Sequence, residues 1–144
     1  MSNRPLYLAN NILQRAFQQK IPVNPMKLQR LLYLTYKEYY KQTKKWLFED
    51  SFEAWKYGPV LTDVQTAFMR YRSEPIKGYA TINHKPYALE ETNTVRSILD
   101  AVWEAYKSYD SITLSELTRG YAWQSAVNND TPLLRNDIKE ELKH

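Results

Sequence analysis

The sequence predicts a mainly α fold, a single compact helical domain of about six helices with a minor β element, either a short strand or a hairpin. Apolar residues recur at helical spacing over most of the chain, whereas alternation typical of strands is confined to short stretches. The length of 144 residues is that of one ordinary domain with one core. We therefore expect residues 1–144 to form one domain.

The first two helices have clear start signals. Pro5 suits the first turn of a helix whose apolar residues continue at helical spacing up to Lys20. Asn24 is a residue type that caps helices, and Pro25 is favoured at the first helical position. A second helix is therefore expected from Met26 to about Thr43.

Three groups of side chains are expected on different sides of this second helix. The core stripe consists of Leu28, Leu31, Leu32, Thr35 and Tyr39. Beside it lie the tyrosines Tyr33, Tyr36 and Tyr40. A further sector is basic and holds Lys27, Arg30, Lys37, Lys41 and Lys44. Only the first group is required for folding, so the tyrosines either pack beneath neighbouring helices or belong to a binding surface.

A tight corner is predicted after the second helix, in the stretch AWKYGPV. Gly58 tolerates the backbone of such a turn, and Pro59 fixes φ and can begin the following helix. Trp55 is expected to pack inside the corner against the second helix. Lys56 and Tyr57 are expected to lie outside the turn, where they would be free to contact a partner.

The remaining elements are predicted from the spacing of apolar residues and from residues that begin or end helices. A third helix of about three turns should end near Tyr71, either capped by Thr62 or begun just after the proline of the corner. Residues 73–89 predict a loop with a small hairpin. The fourth helix, up to Tyr106, has the clearest apolar periodicity, with Glu90 and Glu91 at its N-terminal end.

Short elements are expected at the C-terminal end. One helix should start near Thr113 and stop at Gly120. A short helical turn at residues 122–127 and a polar helix at residues 135–142 complete the chain.

Composition excludes several classes of function. The absence of cysteine rules out disulfides, thiolate zinc sites, iron–sulfur clusters and a cysteine nucleophile. His84 and His144 have no other ligand at metal-binding spacing, and three isolated glycines form no phosphate loop. No catalytic set, cofactor or metal is therefore expected. No signal peptide or membrane span is recognisable, which predicts a cytoplasmic protein.

Charge and aromatic content leave three kinds of function open. Residues 1–72 hold 12 Lys and Arg against 5 Asp and Glu, whereas the second half is acidic. Such a basic half is compatible with an acidic protein or with nucleic acid, and also with an ordinary solvated surface. Glu49, Asp50 and Glu53 near two tryptophans would suit a hydrolase, but an acidic loop has the same spacing.

Two blocks of sequence, taken in order, resemble the Panacea domain, the SocA-like antitoxin family of bacteria and their phages. The first block is matched by Met26, Lys27, Leu28, Gln29, Leu31, Leu32 and Tyr33, with Arg30 in place of the usual lysine. The second is matched by Ala54, Trp55, Gly58, Pro59 and Val60, and a later segment by Leu117, Thr118 and Trp123. Arg119 stands where the family often has histidine.

The resemblance implies an antitoxin that neutralises a cognate toxin protein by direct binding. In one branch of the family the antitoxin is instead a proteolytic adaptor that delivers the toxin to a ClpXP-type protease. The residues expected to contact the partner are Lys27, Arg30, Tyr33, Tyr36, Lys37, Tyr40, Lys41, Lys56 and Tyr57. Those expected to maintain the fold are Met26, Leu28, Leu31, Leu32, Trp55, Gly58, Pro59 and Trp123. The alternative is a phage or mobile-element regulator that binds nucleic acid through the basic, tyrosine-rich helix.

Overall fold

A computed structural model of the protein describes residues 4–143. In this part of the chain there are seven α-helices, namely α1 Arg4–Gln19, α2 Pro25–Thr43, α3 Thr62–Phe68, α4 Asn93–Tyr106, α5 Ser111–Thr118, α6 Tyr121–Asn129 and α7 Arg135–Leu142. Two small antiparallel pairs of strands complete it, β1 Glu53–Trp55 with β2 Gly58–Val60, and β3 Thr81–Ile82 with β4 Lys85–Pro86. The prediction of a mainly α fold with a minor β element is confirmed.

Side-chain caps hold the starts of α2, α4 and α5. As predicted, Asn24 caps α2, and its side-chain oxygen accepts a hydrogen bond from the Lys27 backbone N–H at 2.8 Å. Asp110 caps α5 in the same way, accepting from the Thr113 N–H at 2.7 Å. The helix expected near Thr113 therefore begins two residues earlier, at Ser111.

The start of α3 differs from the prediction. Pro59 does not begin a helix, because it lies in β2 and pairs with Ala54 of β1. The helix begins at Thr62, after Leu61 in an extended conformation. Both backbone groups of Leu61 are bonded to the side-chain amide of Gln29, each at 2.9 Å. This buried amide on α2 holds the chain extended for one residue past the strand.

The central element is α2, which packs against α1, α3, α4, α5, α7 and β2. In the predicted core stripe, Leu28, Leu31, Leu32 and Thr35 are almost completely buried, whereas Tyr39 is half-buried. The interior therefore surrounds much of this helix, and burying such side chains stabilises the fold by about 1.5–3 kcal/mol each. One face of an ordinary surface helix stays in contact with water. Because other elements pack around most of α2, parts of its surface that the sequence indicates to be polar are buried instead.

An aromatic cluster covers the next part of α2. Tyr36 lies within 4.8–5.3 Å, centroid to centroid, of the rings of Trp46, Phe48 and Phe52. Tyr33 meets Phe52 edge to face at 5.1 Å. These contacts come from the segment that follows α2 in the chain. Two of the three tyrosines beside the core stripe thus pack beneath a neighbouring segment, one of the two roles considered for them.

Within residues 4–143, no helix combines the length and the apolar character that crossing a membrane requires.

Candidate partner-binding cleft

The β1–β2 hairpin lies against the N-terminal half of α2, and Gly58 lies next to the Arg30 side chain of that helix. Trp55 and Gly58 face each other in the register of the hairpin, and Lys56 and Tyr57 connect the two strands. Gly58 has φ +135°, and a Cβ placed on it would lie 2.6 Å from Arg30 Nε. Both the backbone conformation and the lack of space therefore require glycine.

The hairpin is fixed to α2 by Arg30. This side chain is only 2% exposed, and it donates from Nε to the Tyr57 carbonyl at 3.2 Å and from Nη1 to the Pro59 carbonyl at 2.9 Å. Within residues 4–143 no carboxylate forms an ion pair with it, and Nη2 has no hydrogen-bond acceptor. Burial, together with repulsion from Arg119, lowers the pKa of Arg30 to about 10.

A cleft of about 340 Å³ opens beside this guanidinium. Its lining residues are Pro25, Met26, Gln29, Arg30, Trp55, Lys56, Tyr57, Val60, Gln65 and Arg72. Three of them are cationic, two are aromatic, and none is a carboxylate. We call this feature the hairpin cleft. Its chemistry is that of a site for an acidic or amphipathic group.

Trp55 lies at the edge of the cleft and not inside the corner. It is 42% exposed, and its indole Nε1 donates to Glu53 Oε1 at 2.8 Å. The prediction that Trp55 packs against α2 is therefore wrong, because the space beneath the hairpin is occupied by Arg30. The hairpin is instead held from α6, where Trp123 Nε1 donates to the Trp55 carbonyl at 2.8 Å. Arg119 lies 5.9 Å from the Trp123 ring centroid.

Lys27 also lies inside the protein. It is 7% exposed, and its ammonium donates to the carbonyl of Lys107 at the end of α4. Burial lowers the pKa of Lys27, an effect that Asp110 partly offsets. The prediction of Lys27 and Arg30 as an exposed surface is wrong, because the connection after α4 covers the first and the hairpin covers the second.

The tyrosines and Lys37 make mostly internal contacts. Tyr33 and Tyr36, expected to contact a partner if exposed, are buried, so of the two roles considered for them they have the internal one. Tyr33 donates to Glu141 of α7 at 3.4 Å, and burial together with that carboxylate raises the pKa of Tyr33 well above its usual range. Lys37 forms an ion pair with the same Glu141. Tyr40 is half-buried and stacked on an indole ring.

Three of the residues expected to contact a partner are exposed, namely Lys41, Lys56 and Tyr57. The prediction that Lys56 and Tyr57 lie outside the turn is wrong, because these two residues form the turn between β1 and β2. The structure brings Lys56 and Tyr57 together with the buried Arg30 in the hairpin cleft. Lys41 lies eleven residues beyond Arg30, about 16 Å further along the helix axis. It belongs to a different part of the surface.

Sequence reasoning missed Arg72 and the structural part played by Gln29. Arg72 follows α3 and lines the cleft, although no pattern in the sequence joins it to α2. Gln29 is a polar residue next to core positions of a helix. That is a weak signal for a buried amide with a backbone partner, and it could have been used.

The acidic residues considered for a hydrolase make other contacts. Glu49 pairs with Arg135 at 3.4 Å, and Glu53 accepts the hydrogen bond from Trp55. In the part of the chain that the structure describes, no three His, Asp or Glu side chains are grouped so that they could hold a metal ion.

Comparison with protein families identifies the chain. A family model described as antitoxin SocA-like, Panacea domain, matches residues 28–124, about two thirds of the sequence. The chain belongs to the SocA-like Panacea family. Comparisons with curated proteins and with solved structures gave no match.

The Panacea segment runs from the first turns of α2 into α6 and includes the whole β1–β2 hairpin. Its two sequence blocks meet in space, because Arg30 of the first block bonds to the carbonyl of Pro59 in the second. Trp123, in the last part of the match, holds the same hairpin through the carbonyl of Trp55. The features that define this Panacea domain in sequence therefore converge on the hairpin cleft.

Proposed function

We propose that this Panacea protein is the antitoxin of a toxin–antitoxin pair and that it neutralises a cognate toxin protein by direct binding. Membership of the antitoxin-like family is the observation that carries this proposal. The proposed contact surface is the hairpin cleft with its exposed rim of Trp55, Lys56 and Tyr57.

The chemistry of this rim supports a protein partner. Tyr57 is 50% exposed and Trp55 nearly as much, although aromatic rings of this size are usually covered. Rigid aromatic side chains and arginine are the residues that most often dominate binding energy at protein interfaces. Lys56 lies 5.3 Å from the Tyr57 ring centroid, so cationic and aromatic groups are presented together. Such a rim suits a partner surface that is both apolar and acidic.

The function as a proteolytic adaptor for a ClpXP-type protease is a special case of the same proposal. Both forms need direct binding of the toxin, so they differ only in what happens to it afterwards. The lifetime of the toxin in cells distinguishes them. An adaptor shortens that lifetime only when the protease is present, whereas simple neutralisation leaves it unchanged or longer.

The nucleic-acid alternative is less well supported. It depends on a basic, tyrosine-rich face of α2, and four residues of that face are buried, namely Lys27, Arg30, Tyr33 and Tyr36. A gel-shift experiment over a salt series tests it directly, because phosphate-driven binding weakens steeply as salt rises.

The direct test uses the product of the neighbouring gene. That product should arrest growth when expressed alone, co-expression of this protein should restore growth, and the two proteins should co-purify. Restored growth without any physical complex would contradict neutralisation by binding. Lack of toxicity of the neighbouring product would remove it as the partner, and a screen of toxins expressed with this protein would then be the test.

A further inference from the structure

We infer that the hairpin cleft binds a carboxylate side chain, Asp or Glu, of the partner protein, next to the guanidinium of Arg30. The inference rests on the proposed function for the identity of the partner. It goes further in assigning one residue class on the toxin and one site on the antitoxin.

The charge distribution around Arg30 carries the argument. Buried arginines are normally paired with carboxylates, since an unpaired buried charge is costly. Arg30 is bonded only to the carbonyls of Tyr57 and Pro59, which offset part of that cost without neutralising the charge. Arg119 acts on it as a second positive charge. Among residues 4–143 the guanidinium thus has no counter-ion, and Nη2 is left without an acceptor.

The form of the cleft indicates where the missing counter-ion would lie. Arg30 lines a cavity whose other charged residues, Lys56 and Arg72, are also cationic and are exposed at its mouth. The aromatic residues at the rim, Trp55 and Tyr57, can pack on the aliphatic stem of an entering side chain or on its neighbours. A side chain with an apolar stem and a terminal carboxylate, such as glutamate, complements both the aromatic rim and the cationic residues of the cleft.

The same features favour a protein carboxylate over a nucleic-acid phosphate. Nucleic acids are bound by several exposed cations that follow the backbone. Here the distinctive cation is buried within a cleft of about 340 Å³, and it can be reached only by a group that enters. Guanidinium N–H groups bind carboxylate oxygens with directed, charge-assisted hydrogen bonds, and these are strongest where water is excluded.

A small-molecule titration of the intact ¹⁵N-labelled protein tests the cleft without any substitution. The reporters are the Arg30 Nε–H and the indole N–H of Trp55, with the buried Trp103 indole on α4 as internal control. N-acetylglutamate, used as its α-methylamide so that the side-chain carboxylate is its only charged group, should shift the first two signals saturably, whereas the matched neutral compound, N-acetylglutamine α-methylamide, should not. Equal shifts with both compounds, or no shift with either, would overturn the inference. Inorganic phosphate binding more tightly than N-acetylglutamate would do so too, in favour of a nucleic-acid site.

A second experiment uses the toxin. Its Asp and Glu residues are replaced one at a time by Asn or Gln, and one replacement should raise the Kd for this protein by about thirtyfold or more, as loss of one partner of a buried charge pair does. Lys56→Glu should weaken binding of the native toxin more than that of this variant. If the toxin binds and no carboxylate matters, the inference fails and the proposed function stands. If the toxin does not bind while N-acetylglutamate does, the proposed function fails and the site stands.

Discussion

The two ends of α2 carry the same kinds of residue in opposite environments. Near the N-terminal end, Lys27 and Arg30 are buried, and their charged groups donate to backbone carbonyls of other elements. Near the C-terminal end, Lys41 and Lys44 are exposed. In the sequence all four belong to one basic stripe. The difference teaches that a charged stripe on a helix becomes a surface only where no later segment of the chain covers it.

The basic residues at the two ends differ in what they hold in place. Arg30 orders the hairpin by supplying donors to two carbonyls, and buried carbonyls need such partners. Lys41 has no comparable task in the fold. We therefore propose that the partner binds at the covered end, where a buried cation, an ordered hairpin and exposed aromatic side chains occur together. The following substitutions test this difference between the two ends of α2, from the largest expected effect to the smallest.

The largest effect is expected for Gly58→Val. The new side chain would need φ +135° and would meet Arg30 Nε at 2.6 Å, so strain and overpacking together should cost about 3–5 kcal/mol. The free energy of unfolding in urea measures this loss. Gly78→Val is the matched control, because a Cβ there meets only the Tyr71 hydroxyl at an ordinary 3.7 Å. Equal losses at the two glycines would show that Gly58 is not specially constrained.

A smaller loss is expected for Arg30→Met. The change leaves the carbonyls of Tyr57 and Pro59 without their donors, and we expect a loss of about 2–4 kcal/mol. Arg70→Met, at an exposed arginine after α3, is the control and should cost much less. If both changes had the same small effect on the urea midpoint, the hairpin would not depend on α2 for its order, and the contrast between the two ends of the helix would lose its basis.

Tyr33→Phe should change how stability depends on pH. The folded pKa of Tyr33 is raised, whereas an unfolded tyrosine ionises near pH 10, so the unfolded state loses its proton first. The stability that Tyr33 contributes is fully present below about pH 10 and is lost as the pH rises beyond it. Urea unfolding at about pH 10–11 should therefore show a steeper decline for the wild type than for the variant. Parallel declines would contradict the burial of this hydroxyl.

Lys37→Glu and Lys41→Glu separate the covered part of α2 from the exposed part. The first change places two carboxylates together at Glu141 and should lower the urea midpoint. The second alters an exposed side chain and should leave that midpoint unchanged within error. A loss of stability with Lys41→Glu as large as that with Lys37→Glu would show that the C-terminal end is not free.

The sequence predicts the helices well because most carry their own apolar periodicity, and α2, α4 and α5 also have a side-chain cap, as Asn24 is for α2. It also predicts a tight corner at Gly58, where the local backbone geometry requires glycine, but it does not predict that β1 pairs with β2. Exposure could not be predicted in the same way. Whether Arg30 or Tyr36 faces water depends on residues that lie from 12 to 29 positions away in the chain. The sequence predicts the wrong position for Trp55, because no local sequence pattern shows that Arg30 fills the space inside the corner.

The most direct test of the account is the affinity of the toxin for two charge-reversal variants, both at exposed lysines. Lys56→Glu alters the rim of the hairpin cleft, and Lys41→Glu alters the C-terminal end of α2. With circular dichroism to show that both variants are folded, isothermal titration calorimetry should give a Kd raised about tenfold or more for Lys56→Glu and unchanged for Lys41→Glu. A Kd raised by Lys41→Glu and unaffected by Lys56→Glu would contradict the account.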